Sequence, residues 1–283
     1  MTHGRPAAPP FVAASPSPPS HVSVAAAAVS FVDKTLTIAA LEVRKLRHDP
    51  TELLTRAVQP ALWLLVFGEV LAKTRAIPSG GLSYRAFLAP GILAQSVAFS
   101  AIFYGIAVIW ERDLGIVHKF LVSPTPRAAL VLGKAVSASL RGLAQGLIVY
   151  AIALALGVEM NWSPAAVAGV ILLVFLGGSL FATFSLIIAC LVRTRERFMG
   201  IGQLLTMPLF FASSAIYPIS VMPVWLKVVA HMNPLTYEVD GLRALMPRGG
   251  TSQSGLGIDF AALAATATLL VLVASRLYAR VAE

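Results

Sequence analysis

The amino-acid sequence predicts an all-α integral membrane protein with six transmembrane helices. Of its 283 residues, 57% are hydrophobic and only 12% are charged, which is about half the charged share of ordinary soluble domains. The mean hydropathy of the chain is +0.80. A water-soluble fold of this size cannot bury so much apolar surface, whereas the hydrocarbon of a bilayer solvates it.

The formal net charge of +9 is a further observation on the whole chain. In a soluble protein, such an excess of Lys and Arg would suggest a nucleic acid partner. Once the apolar segments are set aside no basic domain remains, and membrane proteins collect Lys and Arg in their cytoplasmic loops. We therefore expect no nucleic acid partner. The single cysteine, Cys190, lies in an apolar run, where it is expected to pack as a small hydrophobe.

The first part of the chain divides into two segments before the spans begin. Residues 1–30 contain six prolines among alanines and serines, which predicts a disordered cytoplasmic tail. Residues 31–48 place apolar side chains at helical spacing but carry too much charge to cross a bilayer, so they predict an interfacial amphipathic helix. The transmembrane domain is expected to cover residues 31–283.

Six apolar segments are candidate membrane spans, since a span needs about 20 mostly apolar residues, and the first of them is short and contains Glu69. They are about 57–72, 86–110, 135–157, 165–192, 199–218 and 259–275. An even number of spans puts both termini on one side of the membrane. Most Lys and Arg residues of the loops fall on that same side, which predicts that both termini are cytoplasmic.

The insert between the second and third spans, residues 110–134, is polar, basic and broken by prolines. Ser123-Pro124 ends a short helix in which His118 and Lys119 lie on one flank. The apolar residues of that helix share the other flank: Leu114, Val117, Phe120 and Leu121. A plain loop between antiparallel spans needs fewer residues, and an apolar face needs a surface to cover it. A docking helix is therefore favoured over a solvated loop.

The predicted outer segment, residues 219–258, contains two stretches of helical spacing that are separated by Asn233-Pro234. Two short helices at the membrane interface fit this pattern. In the second helix Asp240 and Arg243 are three residues apart, and Glu238 lies close by. These residues form either an intrahelical ion pair or a solvated polar face.

Two long motifs resemble those of ABC-2 type export permeases, the group of the daunorubicin-resistance and nodulation-factor exporters. ERDLGIVHKFLVSPTPRAALVLGK, residues 111–134, resembles the loop that follows their second span. YPISVMPVWLKVVAHMNPLTYEVDGLRALM, residues 217–246, resembles the segment after their fifth span, which forms short extracytoplasmic re-entrant helices. The resemblance extends from about residue 31 to the end of the chain, leaving the proline-rich tail outside it.

The resemblance implies that the insert carries a coupling helix that docks into a separate ATP-binding subunit. The residues to which this role falls are Glu111, Arg112, Gly115, His118, Lys119, Phe120, Leu121, Ser123 and Pro124. The family further implies two ATPase copies that bind ATP and Mg²⁺, a second copy of this permease or a similar one, and outward transport across a bacterial inner membrane. The implied substrate is a lipophilic drug-like molecule or a glycolipid, and a polysaccharide or lipid-linked glycan is the alternative.

The chain itself has no phosphate-binding loop. Its only Gly-Lys pair is Gly133-Lys134, and alanines occupy positions 128 and 135, where that loop needs Gly and Ser or Thr. We therefore expect no cofactor on this chain and no catalytic residues. A membrane-embedded lipid-linked transferase is the alternative class, but the acidic residues and histidines do not repeat at metal-binding spacing. A non-transporting membrane scaffold is a third class.

Four side chains are candidates for the substrate pathway: Glu69, Phe99, Phe103 and Tyr104. An acid inside a span is costly unless it is paired or hydrated, so Glu69 either attracts a cationic substrate or faces headgroup water. The three aromatic residues either contact a flat apolar substrate or simply pack. Gly142 and Gly146 form a small-residue motif that allows two helices to approach closely.

Overall fold

The computed structural model describes residues 33, 37, 55, 58–74, 78–117, 126–192 and 194–278. Within these residues the regular secondary structure is helical, with one isolated antiparallel bridge between Met160 and Pro247. The predicted all-α class is confirmed for this part of the chain. The predicted tail, most of the interfacial helix and residues 118–125 of the insert lie outside the described residues.

The first helical region is described from residue 58 to Thr74. A π-helical turn at Trp63–Phe67 leads directly into α1, Gly68–Thr74. The next helix, α2, runs over Tyr84–Phe103, and its start is fixed by Ser83, whose hydroxyl accepts a hydrogen bond from the Ala86 amide at 3.3 Å. After a break at Tyr104 the chain continues as α3, Gly105–Asp113.

Three further helices cross the bundle. They are α4 at Arg127–Ala155, α5 at Pro164–Leu191 and α6 at Arg195–Phe211. Ser163 and Thr194 cap the start of α5 and α6, because the side chain of each accepts a hydrogen bond from an amide in the first turn. Pro164 suits the first position of α5, since its missing N–H would have no partner there.

The chain then makes a 3₁₀ turn at Ile219–Val221 and two short helices, α7 at Val224–Met232 and α8 at Pro234–Leu245. Asn233 separates them and caps α8 through the Leu235 amide at 3.0 Å, which confirms the predicted break. The last described helix is α9, Leu256–Leu277.

Among the described residues, four helical stretches are long and apolar enough to cross a membrane. They are the combined α2 and α3, then α4, α5 and α9. Helix α6 has 17 residues. The described helical part of the first predicted span covers residues 58–74. Both are shorter than the roughly 20 residues that a span requires. The number of six spans therefore remains a prediction.

Helix α5 lies at the centre of the bundle, where it packs against α2, α4, α8 and α9. Small residues allow these contacts. A β-carbon at Gly142 would lie 3.0 Å from Val97 of α2, and one at Gly146 would lie 3.9 Å from Val174 of α5. The Gly142 and Gly146 motif therefore faces two different neighbours, of which the contact to α2 is the tighter.

The bundle has two ends, which we name the Arg112 end and the Trp162 end. At the Arg112 end, the Arg112 side chain donates a hydrogen bond to the Val192 carbonyl at 3.1 Å. At the Trp162 end, the Asn161 amide donates to the Met246 carbonyl at 2.9 Å. The charge distribution of the loops predicts that the Arg112 end is cytoplasmic.

Candidate functional site: the root of the insert and an uncharged cavity

A buried ion pair joins the two sides of the insert. Lys134, in the first turns of α4, donates a hydrogen bond to the carboxylate of Glu111 in α3, 23 residues earlier in the chain. The two residues are only 5% and 9% exposed. Charges that leave water must be paired closely, so this contact fixes the separation of the two helices where the insert begins and ends.

The end of α3 is also tied to the turn between α5 and α6. Arg112 bonds the Val192 carbonyl and reaches one oxygen of Asp113 at 3.2 Å. The other oxygen of Asp113 accepts a hydrogen bond from Arg195 at 2.7 Å. The Arg195 guanidinium lies 3.6 Å from the ring centroid of Trp110, which is a close cation–π contact. A displacement of the insert would therefore reach α3, α4 and α6 together.

Just after the end of α3, the backbone of the insert passes through a residue in the left-handed conformation, Gly115. Gly115 has a φ of 71°, which a glycine adopts without strain, and its amide donates to the Arg112 carbonyl at 2.8 Å. Leu114 is exposed, whereas Val117 is buried against the bundle. The prediction that Leu114 and Val117 share one helix flank is therefore wrong, because Gly115 interrupts the helix between them.

The structure places only part of the predicted coupling set. Glu111, Arg112 and Gly115 meet at the base of the insert, as described above. The others lie outside the described residues: His118, Lys119, Phe120, Leu121, Ser123 and Pro124. Sequence spacing missed the roles of Lys134, Asp113 and Arg195, because their partners lie far away along the chain.

A cavity of about 400 Å³ opens between α2, α6 and residues 55, 59 and 60 of the preceding chain. The described residues in its wall carry amides, hydroxyls, aromatic rings and apolar groups but no charge: Thr55, Gln59, Pro60, Gln95, Ser96, Phe99, Ser100, Phe103, Gln203 and Met207. The α2 residues share one face because they recur at spacings of three and four. A wall that combines aromatic and apolar surface with neutral polar groups is typical of small-molecule sites.

The four predicted pathway residues fall in three places. Phe99 and Phe103 line the cavity, with ring centroids 6.1 Å apart. Tyr104 is buried beneath the guanidinium of Arg141, which lies 5.1 Å from its ring centroid. Glu69 forms an ion pair with Arg85, and each side chain is more than a third exposed. The structure therefore brings only the two phenylalanines together.

The acidic and basic residues of α8 at the Trp162 end are buried. Asp240 accepts hydrogen bonds from the Gln253 and Ser254 amides, each at 2.9 Å, instead of pairing with Arg243. Arg243 donates to the Ser214 carbonyl at 2.7 Å, and Glu238 is fully buried. Both sequence interpretations, an intrahelical ion pair and a solvated face, are therefore wrong, because α2, α5 and α9 cover this helix.

Burial changes the titration of these groups. Desolvation raises the pKa of Glu238 well above its usual value, which favours the neutral acid. Desolvation also lowers the pKa of Arg243 to about 10, although the charge of Asp240 acts in the opposite direction. Arg243 is therefore still a cation at neutral pH. Among the described residues, no three acidic, histidine or cysteine side chains converge to hold a metal ion.

The sequence of this chain is similar to one protein family and to several named proteins. A family model described as ABC-2 type transporter matches residues 34–246. The putative transport permease ycf38 of Cyanophora paradoxa is 28% identical over 203 residues, which cover 71% of this chain and 70% of the relative. Nodulation protein J of Rhizobium leguminosarum bv. trifolii is 27% identical over 69% of this chain and 73% of its own length.

A third similar protein carries a drug in its name. The daunorubicin resistance ABC transporter permease protein DrrB1 of Streptomyces coeruleorubidus is 22% identical over 215 residues. The alignment covers 76% of this chain and 75% of the relative. The family match includes the insert and the short helices α7 and α8, whose motifs also carried the resemblance in the sequence.

Proposed function

Because the chain belongs to the ABC-2 type transporter family, we propose that it is the transmembrane permease subunit of an ATP-driven exporter. ATP and Mg²⁺ bind to a separate ATPase subunit, which passes the energy of nucleotide binding and hydrolysis to the permease. The similarity to proteins named as transport permeases supports a transport role for this chain in place of an enzymatic one.

The observation that carries this proposal is the fixed root of the insert. The Glu111–Lys134 pair holds the two ends of the insert together, and Arg112 and Asp113 connect it to the α5–α6 turn. A flexible loop would deform when a partner protein displaces it. A loop whose two ends are held by an ion pair and hydrogen bonds passes the displacement on to the helices. The insert is therefore the contact for the ATPase, and Phe120 and Leu121 form the apolar anchor that enters its groove.

The uncharged cavity is the best site in the described residues for the transported molecule. Phe99 and Phe103 offer aromatic surface, while Gln95 and Gln203 offer amide donors and acceptors. This combination suits an amphiphile that carries a planar ring system or an acyl chain and several neutral polar groups, such as a lipophilic drug or a glycolipid. A lipid-linked glycan is the alternative cargo. Glu69, which pairs with Arg85, lies outside the cavity wall.

The complete transporter is proposed to contain two permeases and two ATPase subunits. One chain with one coupling insert is half of such an assembly, and the second permease is another copy or a similar chain. By family resemblance, the complex exports its cargo across a bacterial inner membrane, and both termini of the permease are cytoplasmic. This placement agrees with the excess of Lys and Arg at the Arg112 end.

The coupling proposal is tested by changing the anchor of the insert. Loss of a buried interface anchor costs about 2 kcal/mol or more, which is over tenfold in affinity. Phe120→Ala and Leu121→Asp should therefore insert into the membrane at normal levels but capture the co-expressed ATPase poorly, or leave ATP hydrolysis without export. The measurements are recovery of the ATPase with detergent-solubilised permease and efflux from cells.

The matched control is Arg127→Ala, at the exposed start of α4 beyond the anchor. This variant should retain both ATPase capture and export. If Phe120→Ala and Leu121→Asp also retain both, the insert is not the coupling element and the proposed function loses its main support.

The cavity proposal is tested separately by efflux of a panel of neutral amphiphiles. Phe103→Ala removes an aromatic wall and should raise the concentration needed for half-maximal export, while ATPase capture stays normal. Phe211→Ala removes a ring of the same size from α6 outside the cavity and should have little effect. Equal effects of the two variants would place the cargo elsewhere.

A further inference from the structure

Arg243 is a buried cation that lacks a carboxylate partner within the described residues. It is 4% exposed, and its guanidinium lies 3.8 Å from the ring centroid of Phe87. Its hydrogen bonds go to the carbonyls of Ser214 and Phe87, at 2.7 and 3.4 Å. The Nη1 atom has no hydrogen-bond acceptor in the described part of the chain. Asp240, the neighbouring acid, is occupied by the amides of the 252–254 loop.

This arrangement is unfavourable for the protein alone. A buried charge is normally compensated by an ion of opposite sign and by hydrogen bonds on all of its polar atoms. Carbonyl groups, an aromatic face and the nearby charge of Asp240 supply part of that compensation, but one nitrogen of the guanidinium has no acceptor within the described residues. An anionic ligand would supply the remainder.

A second cavity lies directly beside Arg243. Its volume is about 190 Å³, and Arg243 is the only charged residue that the described part of the chain contributes to its wall. A water molecule occupies about 30 Å³ in the liquid, so the cavity has room for roughly six, which also accommodates a phosphate group. Ser220, Thr251 and Gln253 add neutral hydrogen-bonding side chains to the same wall. The volume of the cavity, the charge of Arg243 and the hydrogen-bond donors of the wall are therefore all suited to a small anion.

The cavity lies at the Trp162 end of the bundle, and its wall includes Gly249 from the loop after α8. The turn that precedes α5 is bonded to the end of α8, because the Arg248 amide donates to the Glu159 carbonyl at 2.9 Å. Trp162 in this turn is 63% exposed, and Trp225 at the start of α7 is 68% exposed. Exposed tryptophans mark the boundary between hydrocarbon and headgroups in membrane proteins.

We propose that the cavity beside Arg243 is a binding site for a phosphate group, in which the guanidinium donates a charge-assisted hydrogen bond to a phosphate oxygen. The phosphate belongs either to the headgroup of a membrane lipid or to a soluble anion. Binding at this site requires only the permease, so it is independent of the proposed ATPase coupling and of the exported cargo.

The test measures ligand-induced shifts in thermal unfolding of the delipidated, full-length permease in an uncharged detergent. The probes are inorganic phosphate, a short-chain phosphatidylglycerol and a monoacylglycerol that lacks phosphate. Sodium chloride keeps the ionic strength constant, because general screening also affects stability. We expect a saturable rise in the unfolding temperature with a phosphate probe and none with the monoacylglycerol. Stabilisation by phosphatidylglycerol alone identifies a lipid headgroup, and stabilisation by inorganic phosphate identifies a soluble anion.

Two variants locate the site. Arg243→Gln removes the charge, and loss of a charge-assisted hydrogen bond should weaken binding by about tenfold or more. Thr251→Trp fills the mouth of the cavity from an exposed position and leaves Arg243 in place. The matched control is Arg248→Gln, which removes the same charge from an exposed residue of the same end outside the cavity wall. This control should bind the probe like the unchanged protein.

Arg243→Lys and Thr251→Trp keep the test decisive if Arg243→Gln does not fold. Lysine retains the charge, so partial binding is expected for the first variant, and none is expected for the second. The proposal is overturned if no phosphate probe stabilises the protein, or if Thr251→Trp and Arg248→Gln have equal effects on binding. Because the assay contains only the permease, the result does not depend on ATPase capture or on export.

Discussion

The carboxyl group of Glu238 packs against the backbone of Gly177, so closely that a β-carbon at position 177 would overlap it. Glu238 belongs to α8 and Gly177 to the central helix α5. Neither carboxyl oxygen has a hydrogen-bond partner within the described residues. The absence of a side chain at position 177 is therefore what gives this acid its place in the helix interface.

Gly177→Ala should lower the free energy of unfolding by about 1–3 kcal/mol, because an added methyl group in a filled interface forces its neighbours apart. Thermal unfolding in detergent measures the change. Gly200→Ala in α6 is the matched control, because a β-carbon there has open space and alanine favours the helix. Adding Glu238→Ala to Gly177→Ala should restore part of the loss. A double variant that is no more stable than Gly177→Ala would show that another contact causes the strain.

The neutral state of Glu238 should make stability depend on pH. Because burial raises its folded-state pKa above the ordinary value of 4.5, the folded protein holds the proton that the unfolded chain has released. Its contribution is therefore fully present below about pH 4.5 and falls as the pH rises toward the folded-state pKa. The loss approaches about 1.4 kcal/mol per pH unit within that window.

Comparison with Glu238→Gln isolates this effect, because glutamine has a similar shape and does not titrate. The difference in unfolding temperature between the unchanged protein and Glu238→Gln should shift in favour of the variant as the pH rises above 4.5. Parallel curves for the two proteins from about pH 4.5 to about pH 8 would show that the acid ionises without cost in its native position.

The Glu111–Lys134 pair predicts a pattern of coupled destabilisation. Lys134→Met removes the cation that faces a buried carboxylate and should cost about 3–5 kcal/mol, measured by thermal unfolding. The double variant Glu111→Gln, Lys134→Met should recover much of this loss, because neither charge is then buried. Arg127→Ala, on the exposed first residue of α4, is the control and should change stability little. If the double variant loses as much stability as Lys134→Met and Glu111→Gln lose separately and in sum, the two residues do not interact directly.

The predicted orientation can be checked by cysteine labelling in intact cells. The background is Cys190→Ala, although the native cysteine is buried. A cysteine at Ser79 or Thr251, both at the Trp162 end, should react with a reagent that does not cross the membrane, and one at Thr125 should react only after lysis. Thr251 is preferred to Ser252, whose hydroxyl lies within hydrogen-bonding distance of carboxylate oxygens of both Asp240 and Asp259. Labelling of Thr125 from outside would reverse the topology.

Local features of the fold were predictable from the sequence. The break at Asn233-Pro234 appears where it was expected, since a capping side chain and a proline act on their own turn of helix. Helix α4 begins at Arg127, before the apolar segment at residue 135, because Lys134 is accommodated by an ion pair. Hydropathy marks the lipid-facing part of a helix and not the residues at which the helix begins or ends.

The polar contacts between helices were not predictable in this way. Arg112 meets Val192 across 80 residues, and Arg243 meets Phe87 across 156. Spacing within one helix made Asp240 the apparent partner of Arg243, yet tertiary packing gave each residue other partners. The family could be identified because its motifs are contiguous in the chain, whereas the contacts that support them are not.

Asp240 also limits how the Trp162 end can move. Its carboxylate binds the amides of Gln253 and Ser254, while Ser252 bridges it to Asp259 at the start of α9. These hydrogen bonds join α8, the 252–254 loop and the start of α9 to one another. We therefore expect α8 and the start of α9 to move together, so that a change in the shape of the cavity beside Arg243 also displaces α9.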